Sequence, residues 1–227
     1  MSILHIHCSP RGRASESHRL SQHIIERLLR ASGDAAPAVI DIDATRLPNV
    51  DDDYAAALSS PLDPADDVLA RGALRQSSEL IDALRQASHI VIATPMHNFT
   101  VSAALKVWID HVVRVRSTFR ITPEGKIGNL PDRPVYVAVS SGGEFSGEAA
   151  RQPDFLTPYL THVLGTIGLK NVTFFSVQGT ARGDAVLRAA RASAQAAIAA
   201  HPMAAWSIHP VARSGASDDR AQRGDSS

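Results

Sequence analysis

Apolar residues follow two different spacings along the chain, and the two spacings alternate. Five short runs are almost continuously apolar, which is typical of strands buried on both faces of a parallel sheet. Between these runs, apolar residues recur every three or four positions, as they do on one face of a helix. The predicted strands span residues 3–8, 38–43, 89–94, 134–140 and 171–177.

The helical spacing predicts a helix after the first strand and four more along the chain. The first begins at a serine cap, Ser15 or Ser17, and ends near Gly33. The proline-rich segment 47–63 predicts an irregular connection, in which the aspartates at 51–53 form a solvated turn rather than a cation site. The other predicted helices span residues 65–86, 102–117, 154–165 and 185–200.

The order of the elements predicts the fold class. Strands that alternate with helices form parallel βαβ units, so we expect an α/β sheet with helices on both faces. Five strands with a polar loop after the first predict the flavodoxin-like strand order 2-1-3-4-5, in which flavin mononucleotide (FMN) lies between strands one and three. This domain is expected over residues 1–206, followed by a polar tail at 207–227 that is predicted to be disordered.

Composition excludes several classes of function. Lys+Arg and Asp+Glu are equal at 23 each, so no net charge favours nucleic acid or an anionic membrane. Cys8 is the only cysteine and lies in an apolar strand, which predicts a buried residue rather than a reactive thiol. His5 and His7 share a face of that strand, but no third ligand follows nearby, so no metal is predicted. Without a leader or a membrane-spanning run, the protein is expected to be soluble and cytoplasmic, with no membrane insertion.

The loop after the first strand carries the first chemical signal. It contains Ser9, Ser15 and Ser17 together with Arg11 and Arg13, and it leads into a helix. A helix N-terminus offers N–H groups and partial positive charge, which suit a phosphate. The loop matches neither the dinucleotide fingerprint nor the P-loop motif. It is therefore either a serine-lined phosphate site or an ordinary solvated loop with a serine cap.

Two later loops follow buried strands in the same way. Residues 95–99 (Pro-Met-His-Asn-Phe) end the third strand, and residues 140–143 (Ser-Ser-Gly-Gly) end the fourth. Paired glycines let a backbone approach a flat ligand closely, although a mobile surface loop is the alternative. In the predicted strand order these loops meet the serine loop at one edge of the sheet.

Taken together, these segments resemble the FMN-dependent NADH-azoreductase family, the flavodoxin-like quinone reductases of bacteria. The resemblance covers residues 3–200. It implies that FMN is the bound cofactor and NADH the co-substrate. It is carried by Ser9 with residues 15–17, by residues 95–99, by Leu105, Lys106 and Asp110, and by residues 140–143, 154–160 and 164–168.

The resemblance also implies roles for individual residues. The phosphate of FMN would be held by Ser9, Ser15, Glu16 and Ser17. The ribityl chain and the ring would be held by Met96, His97, Asn98, Phe99, Ser140, Ser141, Gly142 and Gly143. Phe119 and Phe155 would line a substrate pocket that a homodimer shares. Family members commonly have tyrosine at the position of His97 and arginine at that of Ser141, which puts substrate choice in doubt.

The implied activity is a two-step oxidoreductase reaction. NADH reduces FMN and leaves as NAD⁺, and a quinone or aromatic azo compound then takes two electrons in the same pocket. No catalytic side chain is certain, and His97 is the candidate for acid–base catalysis. The rivals are a quinone reductase with little azo activity, a non-enzymatic electron carrier and an FMN-binding regulatory protein. Carriers are usually strongly acidic, and the balanced charge argues against that class.

Overall fold

The computed structural model describes residues 1–33, 36–60, 65–203 and 206. The predicted tail at 207–227 lies outside the described residues. The strands are β1 (Ser2–His7), β2 (Ala38–Asp43), β3 (His89–His97), β4 (Thr100–Val101), β5 (Phe119–Thr122), β6 (Gly125–Gly128), β7 (Val135–Ser140) and β8 (Val172–Val177). The α-helices are α1 (Glu16–Ala31), α2 (Asp52–Ser59), α3 (Asp66–Leu69), α4 (Gly72–Gln86), α5 (Ala103–Val112), α6 (Thr157–Thr166) and α7 (Asp184–Ala200).

Five parallel strands form the main sheet in the order β2-β1-β3-β7-β8. These are the five predicted strands, so the predicted order 2-1-3-4-5 is confirmed. The register aligns Ile6 of β1 with Ile42 on one side and Ile92 on the other. The short strand β4 pairs antiparallel with the end of β3. β3 is therefore the central strand, and the carboxyl ends of β1 and β3 flank the topological switch point.

Each face of the sheet has its own core, because successive strand residues point to opposite sides. In β1, Leu4 and Ile6 join the core beneath α4, α5 and α6, whereas Ile3 joins the core beneath α1 and α7. Trp108 of α5 is fully buried in the first of these cores. Cys8 is also fully buried, which confirms the prediction of a buried cysteine, and burial raises the pKa of its thiol.

The segment 47–63 corrects one prediction, because residues 52–59 form the helix α2. Asp51 is its N-cap, and the Asp51 carboxylate accepts from the N–H of Tyr54 at 2.8 Å. The same carboxylate accepts from the N–H of Ala73 in α4 at 3.1 Å. The buried Tyr54 hydroxyl donates to the Asp110 carbonyl at 2.7 Å. The aspartates therefore begin the helix α2 rather than forming a solvated turn, and Tyr54 anchors that helix to α5.

Two predicted helices also have different boundaries. The segment predicted as one helix over 65–86 is divided into α3 and α4. The helix predicted to reach residue 117 ends at Val112, because the Thr118 hydroxyl donates to the Val112 carbonyl at 2.6 Å. Within the described ranges, every helix is too short or too polar to cross a lipid bilayer.

Candidate functional site

A cavity of about 380 Å³ opens at the carboxyl edge of the sheet, and we call it the switch-point cavity. Small-molecule sites typically measure ~300–1,000 Å³, so it is large enough for a ligand. The three loops that the sequence singled out all contribute to its wall, together with α7 and the loop before it. It is lined by Ser9, Pro10, Arg11, Ser15, Glu16, Pro95, Met96, His97, Ser140, Gly142, Thr180, Leu187 and Arg191.

The serine loop presents the N-terminus of α1 to the switch-point cavity. Ser15 is the N-cap, and its hydroxyl oxygen accepts from the N–H of His18 at 3.2 Å while it donates to the Gly12 carbonyl at 2.9 Å. Ser9 is almost buried, and its hydroxyl oxygen accepts from the N–H of Arg11 at 3.3 Å. Ser17 is fully buried, with its hydroxyl 3.4 Å from that of Ser15. This end of the cavity therefore combines serine hydroxyl groups with the positive end of a helix.

The loop after β3 is a tight hairpin rather than the simple turn that the sequence predicts. β4 returns alongside β3, pairing Met96 with Val101 and His97 with Thr100. Asn98 and Phe99 form the turn between them, with φ of 48° and 71°. Positive φ at both central residues is the requirement of a type I′ turn. A phenylalanine whose backbone is in the left-handed region is strained, and such backbone strain is concentrated at functional sites.

The side chain of Gln152 joins Met96 to Ser141 in the loop after β7. The Gln152 side-chain amide nitrogen is 3.2 Å from the Met96 sulfur and donates to the Ser141 hydroxyl oxygen at 3.2 Å. A Cβ on Gly143 would lie 2.2 Å from the Gln152 side-chain oxygen, so a larger residue there would displace the Gln152 side chain. Ser141 is almost buried and bonded inward, while Ser140 and Gly142 line the switch-point cavity. Gln152 was missed by the sequence analysis.

A fourth segment, the loop after β8, was also missed. Its backbone is bonded to the serine-glycine loop: the N–H of Thr180 donates to the Ser141 carbonyl at 3.0 Å, and that of Gly179 to the Gly143 carbonyl at 3.2 Å. Thr180 thereby reaches the cavity wall. The signal that was available is Gly179 itself, a glycine placed soon after the last predicted strand.

Glu16 and Arg191 form an ion pair on the wall of the switch-point cavity. The Arg191 guanidinium holds both Glu16 carboxylate oxygens, at 2.8 and 2.5 Å. These hydrogen bonds lower the pKa of the Glu16 carboxyl below its ordinary value, while burial opposes that change. The pair is therefore charged at neutral pH, with one member on α1 and the other on α7.

The remaining predicted site residues lie outside the wall or at its rim. His97 and Asn98 are exposed at the hairpin, and only His97 of these two lines the switch-point cavity. Phe155 is 60% exposed, and its N–H donates to the Phe99 carbonyl at 3.0 Å. Phe119 is buried in β5, 5.2 Å below the Lys126 ammonium, and is not a lining residue. The structure thus brings Phe155 to the hairpin and leaves Phe119 away from the cavity wall.

Comparison with known proteins agrees with this class of fold. Residues 1–201 match the family model described as "Flavodoxin-like fold". A relative from Pseudomonas fluorescens, FMN-dependent NADH:quinone oxidoreductase 4, is 45% identical over 202 residues, which is 89% of this chain and 96% of the relative. FMN-dependent NADH:quinone oxidoreductase 5 of Burkholderia lata is 44% identical over 200 residues, covering 88% and 96%.

Solved structures show the same fold. An FMN-dependent NADH-azoreductase from Bacillus anthracis, solved in complex with FMN, has a TM-score of 0.71 at 23% identity and covers 88% of this chain and 98% of its own. The azoreductase AzrA also has a TM-score of 0.71, at 20% identity, covering 87% and 99%. The chain is a flavodoxin-like α/β protein. It belongs to the family of FMN-dependent NADH:quinone oxidoreductases, which confirms the resemblance that its motifs carry.

Proposed function

We propose that this protein is an FMN-dependent oxidoreductase that carries two electrons from NADH to quinones. The observation that supports this most is the switch-point cavity, whose wall is built from the loops after β1, β3 and β7. Family membership at 45% identity, over nearly the whole length of a quinone oxidoreductase, points to the same activity.

The residues of the cavity fit FMN. The phosphate belongs at the N-terminus of α1, beside the hydroxyl of Ser9 and the guanidinium of Arg11. The Ser15 hydroxyl would donate to the phosphate in place of the Gly12 carbonyl. Ser17 supports Ser15 from beneath. The wall beside Met96 and Gly142 suits a flat, largely apolar ring, since it offers a thioether and a position without a side chain. The chemistry that bound FMN supplies is two-electron transfer, first from NADH and then to the acceptor.

The protein's own contribution is binding and orientation. The hairpin at Asn98 and Phe99 holds Met96 and His97 at a fixed position beside the ring site. The bonds from the loop after β8 hold the serine-glycine loop in the same way. Because solvent can supply protons, no side chain is required to donate one. His97 is the residue on the cavity wall to test for that role.

Three further points extend the proposal. Aromatic azo compounds are a second class of acceptor, since solved azoreductases share this fold. A homodimer that shares the active site is supported by exposed apolar side chains beside the cavity, Phe99 and Phe155. The β5–β6 hairpin also exposes apolar side chains, Ile121 and Ile127. The protein is proposed to act in the cytoplasm.

Steady-state kinetics test the proposal. The purified protein with FMN is expected to oxidise NADH in the presence of menadione. Plots of reciprocal rate against reciprocal NADH concentration, measured at several menadione concentrations, should be parallel lines. Parallel lines are the result expected when NAD⁺, the oxidised product, leaves before the acceptor enters the same pocket. A yellow protein that NADH does not reduce would instead support the regulatory alternative. A protein reduced by NADH that passes no electrons to quinones would support the carrier.

A further inference from the structure

The Glu16–Arg191 pair lies on the wall of the switch-point cavity, beside Ser9 and Ser15. Glu16 is the first residue of α1, and its side chain is 13% exposed. Arg191 is 33% exposed and holds the carboxylate through two parallel hydrogen bonds. Such two-pronged pairs between arginine and a carboxylate are the strongest and most directional of the common ion pairs.

The resemblance implies that Glu16 helps to hold the phosphate of FMN, but a carboxylate side chain at this place opposes an anionic ligand. The N-terminus of α1 attracts negative charge, and Glu16 is the acidic residue of its first turn. A phosphate monoester carries about −1.5 to −2 charges at neutral pH, so a bare Glu16 carboxylate would repel it. Arg191 cancels the Glu16 charge at close range. Arg19 is more distant, with its guanidinium nitrogen 3.9 Å from the carboxylate.

We propose that Arg191 is a positioning residue that makes this end of the cavity accept a phosphate-bearing flavin by neutralising Glu16. This inference rests on the proposed function, because it assumes that the phosphate of FMN lies beside α1. Arg191 therefore determines specificity for the phosphate of FMN. The unphosphorylated flavin, riboflavin, does not depend on it.

A purely structural role is the competing explanation, because α1 and α7 also contact each other elsewhere. The Arg27 guanidinium donates to the Ala199 carbonyl at 3.1 Å, and the side chains of His23 and Gln195 approach to 2.9 Å. Arg27 does not line the switch-point cavity. Arg27→Met therefore removes a contact between the same two helices without changing the charge at the phosphate end, and it serves as the matched control.

The test compares the dissociation constants of FMN and riboflavin, measured by quenching of flavin fluorescence on apoprotein. Arg191→Met should weaken FMN binding by about tenfold to a hundredfold, the range expected when a partly buried charge loses its partner. Riboflavin binding should change by less than about threefold, which is within the effect of a typical surface substitution. The double variant Glu16→Gln/Arg191→Met should recover most of the FMN affinity, and Arg191→Lys should be intermediate. Arg27→Met should bind both flavins as the wild type does.

Two results would overturn the inference. Equal losses for FMN and riboflavin in Arg191→Met, or a double variant as weak as the single one, would show that the pair only joins α7 to α1. Flavin binding by the wild-type protein shows whether the inference about Arg191 has failed alone or the proposed function has failed with it. A wild-type protein that binds neither flavin removes both, whereas one that binds FMN tightly leaves the proposed function standing whatever Arg191 does.

Discussion

Acidification is expected to destabilise the fold through His5, a histidine of β1 that is almost fully buried. Its Nδ1 lies 2.7 Å from an Asp41 carboxylate oxygen, and its Nε2 lies 2.9 Å from the Ser21 hydroxyl. The rings of His7 and His18 are 5.8 and 5.5 Å away. Burial lowers the pKa of His5 from 6.5 to about 4, although Asp41 acts in the opposite direction.

The sign of the effect follows from linkage between protonation and folding. A histidine with a depressed pKa binds fewer protons when folded than when unfolded, so stability is complete above about pH 6.5 and falls as the pH drops to about 4. The difference between the two pKa values corresponds to about 3 kcal/mol of unfolding free energy, since a tenfold change in proton affinity is about 1.4 kcal/mol. Burial also lowers the pKa of His18, which adds to the effect with the same sign.

Urea unfolding at about pH 7.5 and about pH 4.5 measures this change. The wild type should lose about 2–3 kcal/mol of unfolding free energy between the two values, and the His5→Gln variant should lose clearly less. The lowered pKa values of Glu16 and Asp43 also make stability fall on acidification, beginning near the pKa that these carboxyls have in the unfolded chain. That loss is common to the wild type and His5→Gln, so the difference between the two proteins reports His5. An equal loss in the wild type and in His5→Gln would refute the reasoning.

Four further predictions concern the site and its support. Asn98→Ala places an ordinary residue at φ 48°, which should cost about 1 kcal/mol of unfolding free energy and raise the Kd for FMN, both measurable by titration. Gly142→Val adds methyl groups to the cavity wall near Ala181, 3.6 Å from the new Cβ; it should lower FMN occupancy, and a normal melting temperature would show that the fold is kept. His97→Phe should keep kcat with menadione within a few-fold if solvent supplies the protons, and a loss of about a hundredfold would assign the proton transfer to His97. Gly168→Ala forces φ 108° and a Cβ 2.3 Å from the Leu130 carbonyl oxygen, so urea unfolding should show a loss of about 3 kcal/mol, and a neutral result would contradict the backbone geometry.

The inner strands β3 and β7 were the most predictable of the main sheet because each is apolar on both faces. Ile90, Val91 and Ile92 read as one continuous run in the sequence, and they enter opposite cores in alternation. The end of β3 was less predictable. It continues to His97 because β7 pairs as far as Pro95 and β4 then pairs with Met96 and His97. The apolar run at 90–92 does not show that β7 and β4 will pair with the residues that follow it.

The missed parts of the site depend on contacts between distant parts of the chain. Arg191 bonds Glu16 across 175 positions, and Gln152 reaches Met96 across 56. In an alanine-rich helix such as α7, one arginine reads as an ordinary surface residue. Its role follows only from the packing of α7 beside α1. The serine and glycine loops were predictable, because the positions of loops at a parallel sheet's edge follow from strand order alone.

The central claim is that the loops after β1, β3 and β7 bind one FMN at the switch-point cavity. The absorption spectrum of the purified protein, reconstituted with FMN and freed of excess, tests it most directly. We predict one flavin per chain, with visible bands that disappear on anaerobic addition of NADH and return when menadione is added. A protein that retains no flavin, or whose flavin is retained equally by the wild type and by both Asn98→Ala and Gly142→Val, would contradict the account.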